Sequence, residues 1–471
     1  MMRKDVCCMS EGVSPLVSLP AAPVETCWRR IRTAIPAPAS LPLLERLRAA
    51  EPRSMAGMPP ILWDRAENFQ VYDAYGNCWI DLTSGIVLAN AGHAHPRILA
   101  AIRTAAEQHL LASYAFPSTA RLTLLEKLVR LSPIPDSKAL LFCTGTEATE
   151  CAMMLMRRQG AARDPRKSGI LSFEQSYHGR TLAAQLASGV AGPGDWLDRS
   201  TARHYQIPFP FCPDCPWGRA GYDNCGGWCF ERCLAGLADR EVQAAELAGV
   251  IAETVPGWAT WPLPPDFAAA LVSWARQHDI LLTFDEVQSG CCRTGRFFGF
   301  EHTGVTPDLI TLGKGLTSSL PVSAVLGPRA LLDRPGPGEM SSTHGGNPLC
   351  AAAAVANLDV LAEEQLAAKA VQTGALVLDA LSELGREYPN RILSIHGRGL
   401  FISVHLKRRD NGCPDAELAD AVVHEAVRRG VMMFVTGRGF LKVVPPLTIE
   451  ADAALEAASV IGAAFRAMLG H

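Results

Sequence analysis

The apolar run Leu281 to Phe284 ends on Asp285 and Glu286, and the run Leu309 to Leu312 is followed by a solitary Lys314 between two glycines. An amine becomes a covalent catalyst by forming a Schiff base with a carbonyl compound. A carboxylate facing an aromatic nitrogen keeps that nitrogen protonated, so that its ring can accept electrons. Taken singly, the acids could cap a helix or join a salt bridge, and the lysine could sit in a surface turn. Two further groups stand after apolar runs. In "TGTEATE", Gly145 and Thr146 would offer backbone N–H groups and a hydroxyl at a helix N-terminus, a seat for a phosphate. In "SYHGRT", Tyr177 offers a flat ring and Arg180 a fork of donors. Jointly these are the groups that pyridoxal phosphate requires.

A second cluster lies in "PFCPDCPWGRAGYDNCGGWCFERC", where Cys212, Cys215, Cys225, Cys229 and Cys233 fall in a Pro/Gly/aromatic-rich insertion over residues 208–235. The pair Cys212 and Cys215 followed by Cys225 and Cys229 suits thiolate ligation of zinc or of an iron–sulfur cluster, since a loop poor in aliphatics would gain its fold from the ion. The alternative is a surface insertion with unligated thiols.

Positioning such groups requires a sheet. Strand candidates at 139–143, 169–173, 248–253, 280–284, 309–312 and 322–327 alternate with helical patterns such as "STARLTLLEKLVRL". Continuous apolar strands alternating with helices predict an α/β fold, with a mainly parallel sheet covered on both faces. Ligands sit beyond the carboxyl ends of such strands, where every polar cluster above lies. The expected division is a flexible extension over 1–40, a first segment of a small domain over 41–94, a large cofactor-binding domain over 95–344, and the rest of a smaller α+β domain over 345–471. "NFQVYDAYGNCWIDL" reads as a β-hairpin turning at Gly76 and Asn77. The length of 471 residues is enough for two domains. With 44 basic and 47 acidic side chains, the formal charge of -3 offers no footprint for nucleic acid. No apolar run approaches a membrane span and the start is broken by prolines, so a cytoplasmic protein acting on small molecules is expected.

From about residue 40 onward the chain resembles the class III aminotransferases of the fold-type I pyridoxal-phosphate enzymes, which include ornithine and 4-aminobutyrate aminotransferases. The resemblance rests on "DLTSGIVLANAGHAHP", "CTGTEA", "SYHGRT", "FDEVQSGCCRTGRFFGFEHTGVTPDLITLGKGL", "STHGGNPL" and "VVPPLTIE". It implies that Lys314 is the Schiff-base lysine and proton shuttle, and that Asp285 pairs with the pyridine nitrogen. Val287 and Tyr177 would flank the ring, and Gln288 would reach its 3-hydroxyl. Gly145 and Thr146 would hold the phosphate, completed by Thr343 from a neighbouring subunit, which makes a homodimer with shared active sites the expected assembly. Glu253 and His178 would support the Asp285 network.

Two positions depart from the family pattern. Lys442 stands where many relatives carry an arginine that grips a substrate carboxylate, and Trp258 stands where the glutamate that releases this arginine is found. An ammonium cannot make the planar two-bond grip of a guanidinium, and Trp258 suggests an apolar wall. Arg180 remains a carboxylate binder, and Ile86 joins the substrate-binding candidates. The expected activity is ping-pong amino transfer between an amine or amino acid and a keto acid or aldehyde. The alternatives are a racemase, decarboxylase or lyase on the same scaffold, or a metal-containing binding protein without catalysis.

Overall fold

Seven strands build the sheet that positions the site: β1 (Ser137–Phe142), β2 (Gly169–Phe173), β3 (His204–Ile207), β4 (Leu247–Ala252), β5 (Leu281–Asp285), β6 (Leu309–Leu312) and β7 (Ser323–Pro328). The computed structural model describes residues 16–189, 198–219 and 225–470. The spatial order is β1-β7-β6-β5-β4-β2-β3. Pairing is parallel from β3 through β6, and only β7 runs against its neighbours. Every residue of β2, β4 and β6 is buried, as expected for strands covered on both faces. Helix α1 (Gly145–Ala161) covers one face, burying Cys151, Ala152, Leu155 and Met156 in a core shared with Ile170, Ile251 and Val325.

The chain divides into two units, Pro96–Ala368 around this sheet, and a smaller one built from the residues up to His95 together with those from Lys369 onward. The division therefore falls after residue 368 and not at 344. Helix α2 (Pro348–Glu363) packs its alanine-rich surface on the helices Pro96–Glu107 and Thr119–Leu131 of the larger unit.

In the smaller unit Gln70–Tyr72 pairs antiparallel with Cys78–Asp81. Their turn is fastened by Asp73, whose Oδ1 accepts from the amides of Tyr75 and Asn77, and Gly76 takes a left-handed φ of 92°. A second sheet of the unit is β8-β9-β10, formed by β8 (Ile392–Arg398), β9 (Phe401–Leu406) and β10 (Phe440–Val443). The flexible extension expected over 1–40 is corrected for its described part. Residues 16–40 are packed, with Ile31 and Ile35 buried against Val71 and Trp79, and Arg30 paired with Cys78. Residues 1–15 lie outside the described residues.

The Cys-rich insertion also differs from its expected construction. Its helix α3 (Gly226–Ala238) buries Cys229, Phe230, Cys233 and Leu237, and it packs on the helix Pro265–Gln277. Phe230 stands 5.3 Å from the Phe267 ring and 5.7 Å from Trp274. The described part of the insertion thus has a core of aromatic packing. Among the described residues no group of three or more His, Cys, Asp or Glu side chains could hold a metal ion. Cys225 and Cys229 bring their sulfurs to 4.0 Å, whereas Cys212 faces the carbonyl of Pro210 and Cys215 accepts from the amide of Arg219. Burial, together with the neighbouring thiols of Cys225, Cys215 and Cys212, pushes the Cys229 thiol up to about 12. The expected zinc or iron–sulfur group at Cys212, Cys215, Cys225 and Cys229 is therefore not supported.

Candidate active site

The larger unit gathers its polar groups at the carboxyl ends of β1, β2, β4, β5 and β6. Asp285 closes β5, opposite Thr311 of β6. Its Oδ1 accepts from the Val287 amide at 3.0 Å and the Thr311 hydroxyl at 3.1 Å, and its Oδ2 lies 2.7 Å from His178 Nδ1. With a carboxylate on that side, the proton belongs on Nδ1. His178 is buried, its backbone amide donates to Ser188 Oγ at 2.9 Å, and its Nε2 has no partner among the described residues. Three donors hold one carboxylate in place.

Glu253, just past β4, accepts from the Tyr177 amide at 2.8 Å with Oε1, and from the Gly257 amide at 3.1 Å and Gln288 Nε2 at 3.4 Å with Oε2. Burial raises its pKa, and His178 beside it works in the opposite direction. Glu253 thus ties the loops after β2, β4 and β5 together. Beyond Asp285, Glu286 turns inward and accepts four hydrogen bonds, from Thr254 Oγ1 and the Phe300 amide at one oxygen and from Ser289 Oγ and the Gly299 amide at the other. Even so, burial lifts its pKa to about 7.

Lys314 starts a short 3₁₀ turn after β6 and adopts a φ of 41°, sparsely populated for a side chain with a Cβ. The turn is secured by Asn357 of α2, whose Nδ2 donates to the carbonyls of Gly315 and Leu316, each at 2.9 Å. Among the described residues the Lys314 amine donates no hydrogen bond; it lies 6.0 Å from the centroid of the Tyr177 ring. Burial lowers its pKa, and the nearby Asp285 and Glu253 carboxylates offset part of that effect.

The first turn of α1 is fixed by a capping box in which Thr144 Oγ1 accepts from the Glu147 amide and Glu147 reaches back to the Thr144 amide at 2.8 Å. The amides of Gly145 and Thr146, at the first two helical positions, are left for an anion. A Cβ on Gly145 would come within 2.8 Å of Val287 Cγ1, closer than packing allows, while one on Gly313 would lie in ordinary contact 3.5 Å from Gly145 Cα, so the ends of β1, β5 and β6 lie against one another. The Thr146 hydroxyl lies 2.7 Å from that of Thr181.

Gly145, Thr146, Tyr177, His178, Glu253, Asp285, Val287, Gln288 and Lys314 are thus joined through contacts within one unit. Arg180 is exposed, 5.1 Å from the Tyr177 ring centroid, and donates to Gln185 Oε1. Trp258 follows Gly257 and packs among Phe209 and Phe211. Thr343 is exposed on the loop whose Ser342 donates to Glu147 Oε1. In the smaller unit Ile86 is exposed, with a φ of 68°. Lys442 of β10 is buried, its ammonium 4.7 Å from the Phe401 ring centroid and 5.9 Å from that of Phe434. Sequence reasoning missed Thr311, Asn357, Ser188 and the inward Glu286. A signal existed for the last alone, since an acid following an apolar strand and turned into the core requires donors.

A family model described as aminotransferase class-III matches residues 52–465. Among curated proteins, the chain is 31% identical over 449 residues to a 4-aminobutyrate aminotransferase of Mycobacterium leprae, covering 92% of this chain and 97% of that protein. It is 32% identical over 414 residues to a leucine/methionine racemase of Thermococcus litoralis, with 87% and 92% covered. Among solved structures, an amine transaminase from an uncultivated Pseudomonas species in its PLP-bound form superimposes with a TM-score of 0.79 at 26% identity, covering 86% of this chain and 94% of that one.

Proposed function

Since the chain belongs to the class III aminotransferases, we propose that Lys314 and Asp285 are the centre of its amino-transfer site, which exchanges an amino group between an amine or amino acid and a keto acid or aldehyde in two half-reactions. The chain is a pyridoxal-phosphate-dependent transaminase. The residues fit that cofactor: an amine without a hydrogen-bond partner near an aromatic ring, two uncommitted amides at the start of α1, and a close approach at Gly145 that any larger residue would fill. When bound, pyridoxal phosphate supplies an aldehyde that condenses with amines and a protonated pyridine ring that withdraws electrons.

The observation that carries this reading is the pairing of a partner-free Lys314 amine with a triply bonded Asp285 at neighbouring strand ends. Lys314 would hold the cofactor covalently. Burial favours its neutral amine, the form in which Nζ can take up a proton and return it. Asp285, held in place by its three donors, would face the pyridine nitrogen. Tyr177 and Val287 would flank the ring, Gln288 would reach the ring hydroxyl, and Gly145 and Thr146 would hold the phosphate. Arg180, exposed beside the Tyr177 ring, is the cation suited to a substrate carboxylate. Lys442 and Ile86 remain substrate-binding candidates. A homodimer is supported by exposed apolar side chains in and before the helix Thr119–Leu131, Leu111, Phe116 and Leu122 among them, a surface that a second copy would cover. Thr343 would then complete the partner's phosphate site.

The test is a donor screen with 2-oxoglutarate and pyruvate as acceptors, read as glutamate or alanine formed. Amino transfer requires product that depends on both substrates, with parallel double-reciprocal lines. Conversion of many equivalents of an amino acid per enzyme with no acceptor present would overturn the reading in favour of a lyase or of a racemase, the latter being the activity named for the Thermococcus relative.

A further inference from the structure

Among the side chains that α2 buries, Asn357 alone is polar, and it is fully enclosed. Asparagine is a mediocre helix former, and a buried amide costs free energy unless its donors and acceptors are satisfied. Its Oδ1 has no hydrogen-bond partner, so what this position uses is the NH2 group. Nδ2 donates to the carbonyls of Gly315 and Leu316 at 2.9 Å each. The opposite orientation of the amide would set one oxygen against two others, which fixes the assignment.

Those two carbonyls belong to the turn that Lys314 begins. A 3₁₀ turn running from Lys314 to Leu316 is too short to satisfy its own last carbonyls, and Gly315 and Leu316 are buried, so donors must come from outside it. Lys314 itself holds a left-handed φ of 41°, a conformation that persists only where the surroundings impose it. The helix that supplies the donors is anchored on both sides of Asn357. At its start the Asn347 side chain accepts from the Leu349 and Cys350 amides and donates to the Leu111 carbonyl. Beyond Asn357, the Asp359 carboxylate accepts from Lys127.

In the resting protein the Lys314 side chain would be held at both ends, by its backbone and by the cofactor. While a substrate amine occupies its place, the backbone alone determines where Nζ can reach. We propose that Asn357 is a positioning residue for Lys314: by clamping the two carbonyls that follow, it keeps the free amine where it can carry a proton and recapture the cofactor. This rests on the amino-transfer reading and adds to it a residue that acts while the lysine is free.

The experiment uses Asn357→Leu, which keeps the shape of the side chain and removes both donors, with Asn357→Ala in its place if the leucine variant does not fold. Holoenzyme kinetics with the best donor of the screen should show kcat lowered about ten- to hundredfold, the scale of a misplacement of about 1 Å, while the donor KM stays within about threefold. A second readout needs no turnover. The full-chain apoprotein should capture pyridoxal phosphate and pyridoxal, which has no phosphate, about tenfold more slowly than wild type, and by a similar factor for the two, because the defect lies at the amine and not at the phosphate seat. Slowed capture of the phosphate ester alone, or a raised KM with kcat unchanged, would overturn the inference. So would a lowered melting temperature with kcat and both capture rates within about twofold of wild type, which is the mark of a merely structural role and leaves amino transfer intact. If the wild type turns over no amine with any acceptor while capture at Lys314 still slows in the variant, the positioning role stands and the amino-transfer reading falls.

Discussion

His178 Nδ1 and Asp285 Oδ2 stand 2.7 Å apart with both side chains buried, so the imidazole fixes the orientation of the carboxylate. His178→Ala would leave that oxygen without its donor, while the Val287 amide and the Thr311 hydroxyl still hold the other. Losing one partner of a buried charged hydrogen bond costs about 1–3 kcal/mol. The expected outcome is a fall in kcat/KM on the order of ten- to hundredfold, together with weaker retention of pyridoxal phosphate on dialysis. His178→Asn should recover part of both if its amide reaches Asp285. Unchanged kinetics would separate His178 from the Asp285 network.

Lys314 carries a pH signature. Burial lowers its pKa below the ordinary 10.5, and the Asp285 and Glu253 carboxylates push it part of the way back. An amine with a lowered folded pKa holds fewer protons in the folded than in the unfolded chain between the two values, so its contribution to stability rises with pH across that window. The capture of pyridoxal phosphate by the apoprotein, followed by absorbance, should therefore accelerate with pH with a midpoint below 10.5. Asp285→Asn removes a charge that raises the amine's pKa, so the midpoint should move lower still. An upward movement would contradict the assignment.

Glu286 shows the opposite slope. Its folded pKa of about 7 lies above the ordinary 4.5, so between these values the folded chain holds a proton that the unfolded chain has released. The corresponding stability is present below 4.5 and is lost as pH rises through 7. Melting temperatures across pH 4.5 to 7 should carry this falling component in the wild type. In Glu286→Gln the component should be absent, and the melting temperature should be lower throughout, because an amide NH2 would face donors from Gly299 or Phe300. An identical slope in both proteins would place the titration elsewhere.

The sheet was legible because its strands are continuous apolar runs: Leu309–Leu312 stands where the letters place it, and β2 and β5 differ from their expected ranges by at most one residue. Strand β3, "HYQI", was not, since it is four residues long, half polar, and lies at the sheet edge where only one neighbour tests its pattern. Asp285 and Lys314 could be read from their places after apolar runs. Thr311 and Asn357 could not, because each acts through a pairing fixed only by tertiary structure: Thr311 by its register opposite Asp285, Asn357 by the docking of α2 against the Lys314 turn. The Cys-rich insertion misled for a related reason. Few aliphatics suggested an ion at its centre, whereas Phe230 borrows a core from Phe267 and Trp274 on the next helix.

The most direct measurement is of covalent attachment. The protein is loaded with pyridoxal phosphate, reduced with borohydride, digested and examined by mass spectrometry. The added phosphopyridoxyl mass is expected on the peptide that contains Lys314 and should vanish in Lys314→Ala. Attachment at a different lysine, or none in a protein that has demonstrably bound the cofactor, would contradict the placement of Lys314 and Asp285 at the centre of the site.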